Sequence, residues 1–202
     1  MAEVSTLVDT STTDMDTLAG TVRGLSREFG QMPVDTAKAL YTTISAGFGD
    51  AADAALLLEG AMKLSRGGLA DLGVSVDGLT SIMNSYGLAA DQVGSVSDRM
   101  FVAMKAGKTT IGELSSSLGK VTPLASAAGV AIDDILAATS ALTLGGLGTA
   151  EAVTALRGVL SSVIKPTSEA TKLAQDLGIE FDTAAVKSMG LERWLAHVAE
   201  KS

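Results

Sequence analysis

Apolar residues recur three and four positions apart along almost the whole chain, and no stretch sustains the two-residue alternation of a half-buried strand. That spacing limits the fold to helices packed on helices. The punctuation is mostly glycine. It predicts helices near 34–46, 50–65, 76–86, 89–106, 110–128, 132–144, 149–164, 167–177 and 191–200. Pro33, Pro123 and Pro166 fall at or near helix starts or within one helix. The expected fold is all-α. An N-terminal amphipathic or coiled-coil helix over residues 1–30 precedes an array of short helical hairpins over residues 31–202.

The first 30 residues differ from the rest. With Val8, Met15, Val22 and Phe29 at heptad a positions, the d positions are Val4, Ser11, Leu18 and Leu25, and seven of the eight are apolar. The residues between, Asp9, Thr10, Thr12, Thr13, Asp14, Asp16 and Thr17, are polar. A 3.5-residue repeat of this kind fits a coiled coil, and the same stripe fits one amphipathic helix lying on a core. The candidate self-association seam is Val8, Met15, Leu18, Val22, Leu25 and Phe29, so Val22→Asp is expected to shift the protein to smaller species.

A faint repeat runs through the remainder. Pro33-Val34-Asp35, Ser75-Val76-Asp77 and Ala131-Ile132-Asp133 each open a helix with an acid in the first turn, facing the positive end of the helix dipole. Gly47, Gly87 and Gly145 follow, and new helices open at Asp50, Ala89 and Thr149. Val74 with Leu79 around an N-cap Ser75, and Val130 with Ile135 around Ala131, have the spacing of hydrophobic staples.

Composition narrows the chemistry. Hydrophobic residues reach 47% while aromatics are only 3%, with 22 Gly and 31 Ala, so the core brings backbones close together. The chain has no Cys and one His, which excludes a disulfide framework and thiolate sites and nearly excludes multi-histidine metal sites. A net charge of −8 disfavours nucleic-acid binding, which needs a basic face. No cofactor or metal is expected. The N-terminus lacks the basic and apolar regions of a signal peptide, which reads as cytoplasmic by default. The longest charge-free run, Ile135 to Ala150, is sixteen residues and contains three glycines. A membrane-spanning helix wants about 20 apolar residues.

Three local motifs suggest chemistry and fail on context. Gly107-Lys108-Thr109 resembles the end of a phosphate loop, but Val102 stands where the first glycine belongs and a helix precedes it. Gly107 is better placed as a helix C-cap, with Thr109 or Thr110 capping the next helix. Gly146-Leu147-Gly148 begins a dinucleotide fingerprint whose third glycine is replaced by Glu151. Ser117-Leu118-Gly119-Lys120 has an acylating-enzyme spacing without companion motifs. His197 falls on the edge of the Trp194, Leu195, Val198 stripe with no nucleophile near it in sequence, and Asp133-Asp134 suits a helix start better than acid–base work. No enzyme is expected.

One ordered set of segments carries a resemblance. Lys108-Thr109-Thr110-Ile111-Gly112-Glu113-Leu114 leads to Thr122-Pro123-Leu124-Ala125, then to Ala128-Gly129-Val130-Ala131-Ile132-Asp133-Asp134. Gly145-Gly146-Leu147-Gly148-Thr149-Ala150-Glu151-Ala152, Thr154-Ala155-Leu156-Arg157, Lys165-Pro166-Thr167 and Leu177-Gly178-Ile179 follow. Leu79 to Leu88 and Ser97-Asp98-Arg99 fit upstream. By their order and spacing these pieces resemble the core region of phage tail tape-measure proteins over residues 30–190. Val153 stands where that family commonly has a glycine, which puts a close backbone contact there in doubt.

The resemblance implies a structural, non-enzymatic protein in the lumen of the tail tube whose length sets tail length. It implies a role in tail assembly and genome delivery. Implied partners are the tail-tube protein, tail-tip or baseplate proteins and tail-assembly chaperones, with a homo-oligomer, no specific nucleic acid and transient membrane contact during ejection. The implied location is the virion tail, and the host cytoplasm during assembly. Family members usually run for hundreds of residues more. Two other classes stay open: a soluble helical-repeat adaptor, and a membrane-active helical protein that liposome leakage would reveal.

Overall fold

Residues 72–86 form the axis on which the other helices pack. The computed structural model describes residues 4–7 and 15–201. These contain twelve α-helices and no strand: α1 (Met15–Phe29), α2 (Pro33–Ser45), α3 (Ala51–Gly68), α4 (Leu72–Tyr86), α5 (Val93–Ala106), α6 (Ile111–Leu118), α7 (Thr122–Ala127), α8 (Ile132–Leu144), α9 (Thr149–Ile164), α10 (Ser168–Asp176), α11 (Thr183–Met189) and α12 (Leu191–Lys201). Short 3₁₀ turns cover Val4–Thr6 and Ala90–Gln92. The all-α expectation holds. Val8 of the proposed seam and the heptad position Ser11 lie outside the described residues.

The caps explain most helix starts. Asp50 Oδ1 accepts the Ala52 and Asp53 N–H groups, Thr167 Oγ1 accepts that of Ala170, and Asp182 Oδ1 accepts that of Ala185. Three expectations need correction. Of the N-terminal helix expected over residues 1–30, the described residues show a separate 3₁₀ turn at Val4–Thr6 and a helix from Met15. The helix expected from residue 76 starts at Leu72, because Asp71, not Ser75, is its N-cap. Asp71 Oδ1 accepts the Val74 N–H at 3.0 Å, while the buried Ser75 hydroxyl donates to the Asp71 carbonyl one turn back. The helix expected over 110–128 is two helices, α6 and α7. Pro123 has no N–H to donate, and its ring would collide with the Gly119 carbonyl four residues back, so the chain turns at Gly119-Lys120. The short α11 went unpredicted, although its Asp182 cap and following Gly190 are legible.

One continuous apolar core joins the helices. α4 packs against α2, α3, α5, α6 and α7, with Val76, Leu79, Ile82 and Met83 wholly buried. α1 lies on α2 and α3. α8 and α9 pack on each other, α9 touches α6 and α7, and α8 connects to α5 on one side and α12 on the other. α10 is peripheral, with only Ala174 buried.

Glycine sets how near the helices come. A Cβ on Gly78 would meet the Ser115 Cα at 2.6 Å, so α4 and α6 touch backbone to backbone. A Cβ on Gly68 would collide with Ile111 Cγ1. Gly158 on α9 faces open space. We expect Gly158→Ala to stabilise by about 0.5–1 kcal/mol through helix propensity alone. Gly78→Ala gains the same propensity but forces α4 and α6 apart, an overpacking cost of about 1–3 kcal/mol, so the net change is destabilising. Urea unfolding of the two variants checks the pair, and equal shifts would contradict the close contact.

Candidate functional site

The apolar stripe of α1 faces the chain's own core. Leu18 and Val22 are 1% and 5% exposed, and Met15, Leu25 and Phe29 lie half-buried on the same cluster. Val4 is buried too, in the 3₁₀ turn that packs on α2. The Ser26 hydroxyl donates to Thr36 Oγ1 at 2.9 Å, and Arg66 Nη1 donates to the Phe29 carbonyl at 2.8 Å, which fixes the C-terminal end of α1.

Gly107-Lys108-Thr109 is a structural turn tied to α8 and α9 by hydrogen bonds. A Cβ on Gly107 would lie 2.8 Å from the Ser140 Cα. The Lys108 N–H donates to Thr143 Oγ1, and Thr109 Oγ1 lies 2.7 Å from Thr149 Oγ1. Thr110 and Glu113 form a capping box at the start of α6. Glu113 Oε2 accepts from the Thr110 N–H and hydroxyl at 3.0 and 3.1 Å, and the Glu113 N–H donates to Thr110 Oγ1. The same carboxylate oxygen accepts from Thr149 at 3.4 Å. One carboxylate thus caps α6 and also holds the Thr149 hydroxyl in the first turn of α9. The Thr-x-x-Glu spacing was legible in sequence, whereas the link to Thr149, 36 residues away, was not. We expect Glu113→Ala to cost about 1 kcal/mol, with Thr110→Ala adding little to it, because both remove one cap. Chemical unfolding of the single and double variants measures the coupling, and full additivity would contradict a shared cap.

The remaining motif residues are dispersed. Gly146-Leu147-Gly148 is the tight connection from α8 to α9, with Gly146 at φ +104°. Ser117 is buried on α6 while Lys120 is exposed beyond its end. Val153 is wholly buried, so the side chain fills core space on α9. His197 lies half-buried on α12, one turn from Trp194, whose Nε1 donates to the Glu180 carbonyl at 3.0 Å. Tyr86 donates its hydroxyl to the Val130 carbonyl at 3.1 Å. Burial first, then the Asp134 and Asp133 carboxylates, hold that phenol well above its ordinary pKa. Asp133 pairs with Arg99 at 3.5 Å. Among the described residues no group of three or more His, Asp or Glu is placed to hold a metal ion. None of their helices is long and apolar enough to cross a membrane.

The residues that carry the resemblance therefore meet in space as caps and close contacts among α6, α7, α8 and α9. Their arrangement defines a packed, all-helical protein whose shared features are architectural. The chain belongs to the phage-related minor tail protein family, whose sequence profile matches residues 19–202. It is 26% identical over 166 residues to the tape measure protein of Pneumococcus phage Dp-1, which covers 81% of this chain and 14% of that protein. It is 28% identical over 138 residues to the probable tape measure protein of Clostridium phage phiCD119, covering 67% of this chain and 15% of that one. The chain thus spans only a small part of the length of these relatives. No solved structure matches it.

Proposed function

We propose that this chain is a segment of a tape-measure protein, acting as a structural, non-catalytic part of a phage tail. The family match over residues 19–202, with two tape-measure relatives along most of the chain, carries the reading. The use of the Lys108 N–H and of the Thr109 and Thr149 hydroxyls as helix-to-helix ties supports a mechanical role. In this reading the protein occupies the tube lumen, sets tail length and takes part in assembly and genome delivery. Its partners are the tube protein, tip or baseplate proteins and assembly chaperones, with transient membrane contact at ejection.

A fully helical rod of 202 residues would reach only about 300 Å at 1.5 Å per residue, and the folded-back helices reach far less. In the long form typified by the relatives, this segment is therefore a packed domain of the ruler and contributes little of its span. The division at residue 30 belongs to the same proposal, with α1 as a separable N-terminal helix. Pairing of copies through Met15, Leu18, Val22, Leu25 and Phe29 requires α1 to leave α2 and α3.

The test is deletion of the coding region for residues 19–202 in the phage that carries it, with the intact gene supplied in trans as control. Electron micrographs are expected to show tails absent or of irregular length, restored by complementation. Tails of normal, uniform length in the deletion would overturn the reading.

A further inference from the structure

We infer that the chain is a row of stacked helical units that opens one unit at a time from its C-terminal end, and not in a single cooperative step. The inference goes beyond the tail assignment and stands on the contact pattern of the folded chain alone. Five units follow one another along the sequence: α1–α2, α3–α4, α5–α7, α8–α9 and α10–α12. One row of helices is α1, α3, α5, α8 and α12, each packed on the next. The second row is α2, α4, α6 and α9, packed in the same way. Among the described helices every substantial contact lies within one unit or between consecutive units, and none skips a unit.

Side-chain hydrogen bonds between the units keep one stride. Arg66 Nη1 donates to the Phe29 carbonyl 37 residues back, and Asn84 Nδ2 donates to the Ala46 carbonyl 38 residues back. The Ser140 hydroxyl donates to the Ala103 carbonyl, and the Ser85 hydroxyl to Thr122 Oγ1, each across 37 residues. Each of these bonds joins a unit to its neighbour. A fold whose long-range contacts all fall between neighbours is stabilised as a sum of units and of the joints between them. A unit at one end can therefore open while those further in stay closed.

The joints differ in tightness, and that difference sets the order. Between the second and third units a Cβ on Gly60 would meet Val93 Cγ2 at 2.6 Å, and one on Gly67 would meet Phe101 Cζ at 2.8 Å, beside the Gly78–Ser115 backbone contact. The last joint rests on α12 against α8, and α10 buries only Ala174. A cavity of about 360 Å³ lies at that joint, among α8, α9 and α12. At ~30 Å³ per water it has room for about a dozen, so the joint is incompletely filled. Its lining holds two carboxylates, Asp134 of α8 and Glu192 of α12, and no cation, so charge does not help to close it. Within the last unit, by contrast, Trp194 bonds the Glu180 carbonyl and stacks near Phe181, so α11 and α12 leave together. Tension on the chain ends is then met by one joint at a time, and each opening costs one unit and one joint instead of the whole fold.

The chain has no cysteine, so cysteines appended at its two termini attach the intact protein to DNA handles in an optical trap. Under slowly rising force the extension is expected to grow in several steps of about 130 Å, the length of one 37-residue stride at about 3.5 Å per extended residue. The first step should come at the lowest force. Native-state hydrogen exchange locates the steps, with protection failing first in α10–α12 and last in α4 and α6. Leu191→Ala removes a side chain of α12 that is 1% exposed. At a fixed force it should shift the first opening equilibrium by at least about 30-fold and leave the later steps at their parent forces. Gly78→Ala, in the middle joint, should leave the first step alone and lower a later one. A single opening of the whole chain, about 650 Å in one step, overturns the inference. So does protection that fails in all helices together, or a first step that Leu191→Ala does not move. Each of these outcomes leaves the tail assignment standing, because that rests on the deletion phenotype.

Discussion

Trp194→Ala is expected to lower the free energy of unfolding by about 3–5 kcal/mol, the range for removing a fully buried large aromatic side chain. Trp194 is the one tryptophan of the chain and is 1% exposed. Its ring lies 5.3 Å from that of Phe181 and its Nε1 donates to the Glu180 carbonyl, so it ties α12 to the strap before α11. The helices nearest the cavity, α11 and α12, should open first, because local unfolding follows local contact density. Hydrogen exchange is expected to show protection lost there before it is lost in α4. Trp194→Phe keeps much of the volume but leaves the Glu180 carbonyl without its donor, so it should cost about 1–3 kcal/mol. A change below 1 kcal/mol for the alanine variant, read by circular dichroism melting, would mean that α12 contributes little to the core.

Val22→Asp is expected to release α1 from the core, at a cost of about 3 kcal/mol or the whole docking energy of the helix, whichever is smaller. Val22 is 5% exposed on α1, which packs on α2 and α3. The carboxylate escapes burial most cheaply by undocking the helix. Limited proteolysis should then cut near Gly30, and the remaining helices should stay folded. Arg23→Ala on the exposed face is the control and should change stability by less than about 0.5 kcal/mol. If instead Val22→Asp leaves stability unchanged and only shifts the sedimentation to smaller species, the stripe pairs between copies rather than within one.

Most of the helix pattern was legible because it is local. A helix start needs a cap within three residues, and a helix end needs a residue that tolerates the left-handed region or a break in spacing. Asp50 and Thr110 were therefore placed correctly as starts, Ala131 marks a start without a side-chain cap, and Gly87 ends α4 at φ +61°. Ser75 was misplaced because Asp71 competes for the same helix from four residues upstream. The break between α6 and α7 was local as well, since Gly119 stands four residues before Pro123, but the continuous apolar spacing hid it.

The glycines separate the two kinds of information. Gly67 and Gly68 look like the end signal of α3, yet both are helical, and their missing side chains make room for Phe101 and Ile111. The left-handed cap falls to Leu69, at φ 50° and 96% exposed, a conformation that costs a side-chain-bearing residue about 1 kcal/mol. Nothing within a few residues of Leu69 announces that exchange, because its cause is the packing of Phe101 of α5 and Ile111 of α6.

The sequence by itself determined that the chain is helical, where most helices begin and end, and which family its ordered segments resemble. These depend on interactions spanning three or four residues and on their order along the chain. Tertiary structure alone decided which apolar stripe lies inward, which glycines pack rather than turn, and that Glu113 reaches Thr149 of α9 as well as its own helix start. A 3.6-residue stripe states that a helix has an apolar side but not what covers it, and that choice is made by the summed burial of all twelve described helices at once.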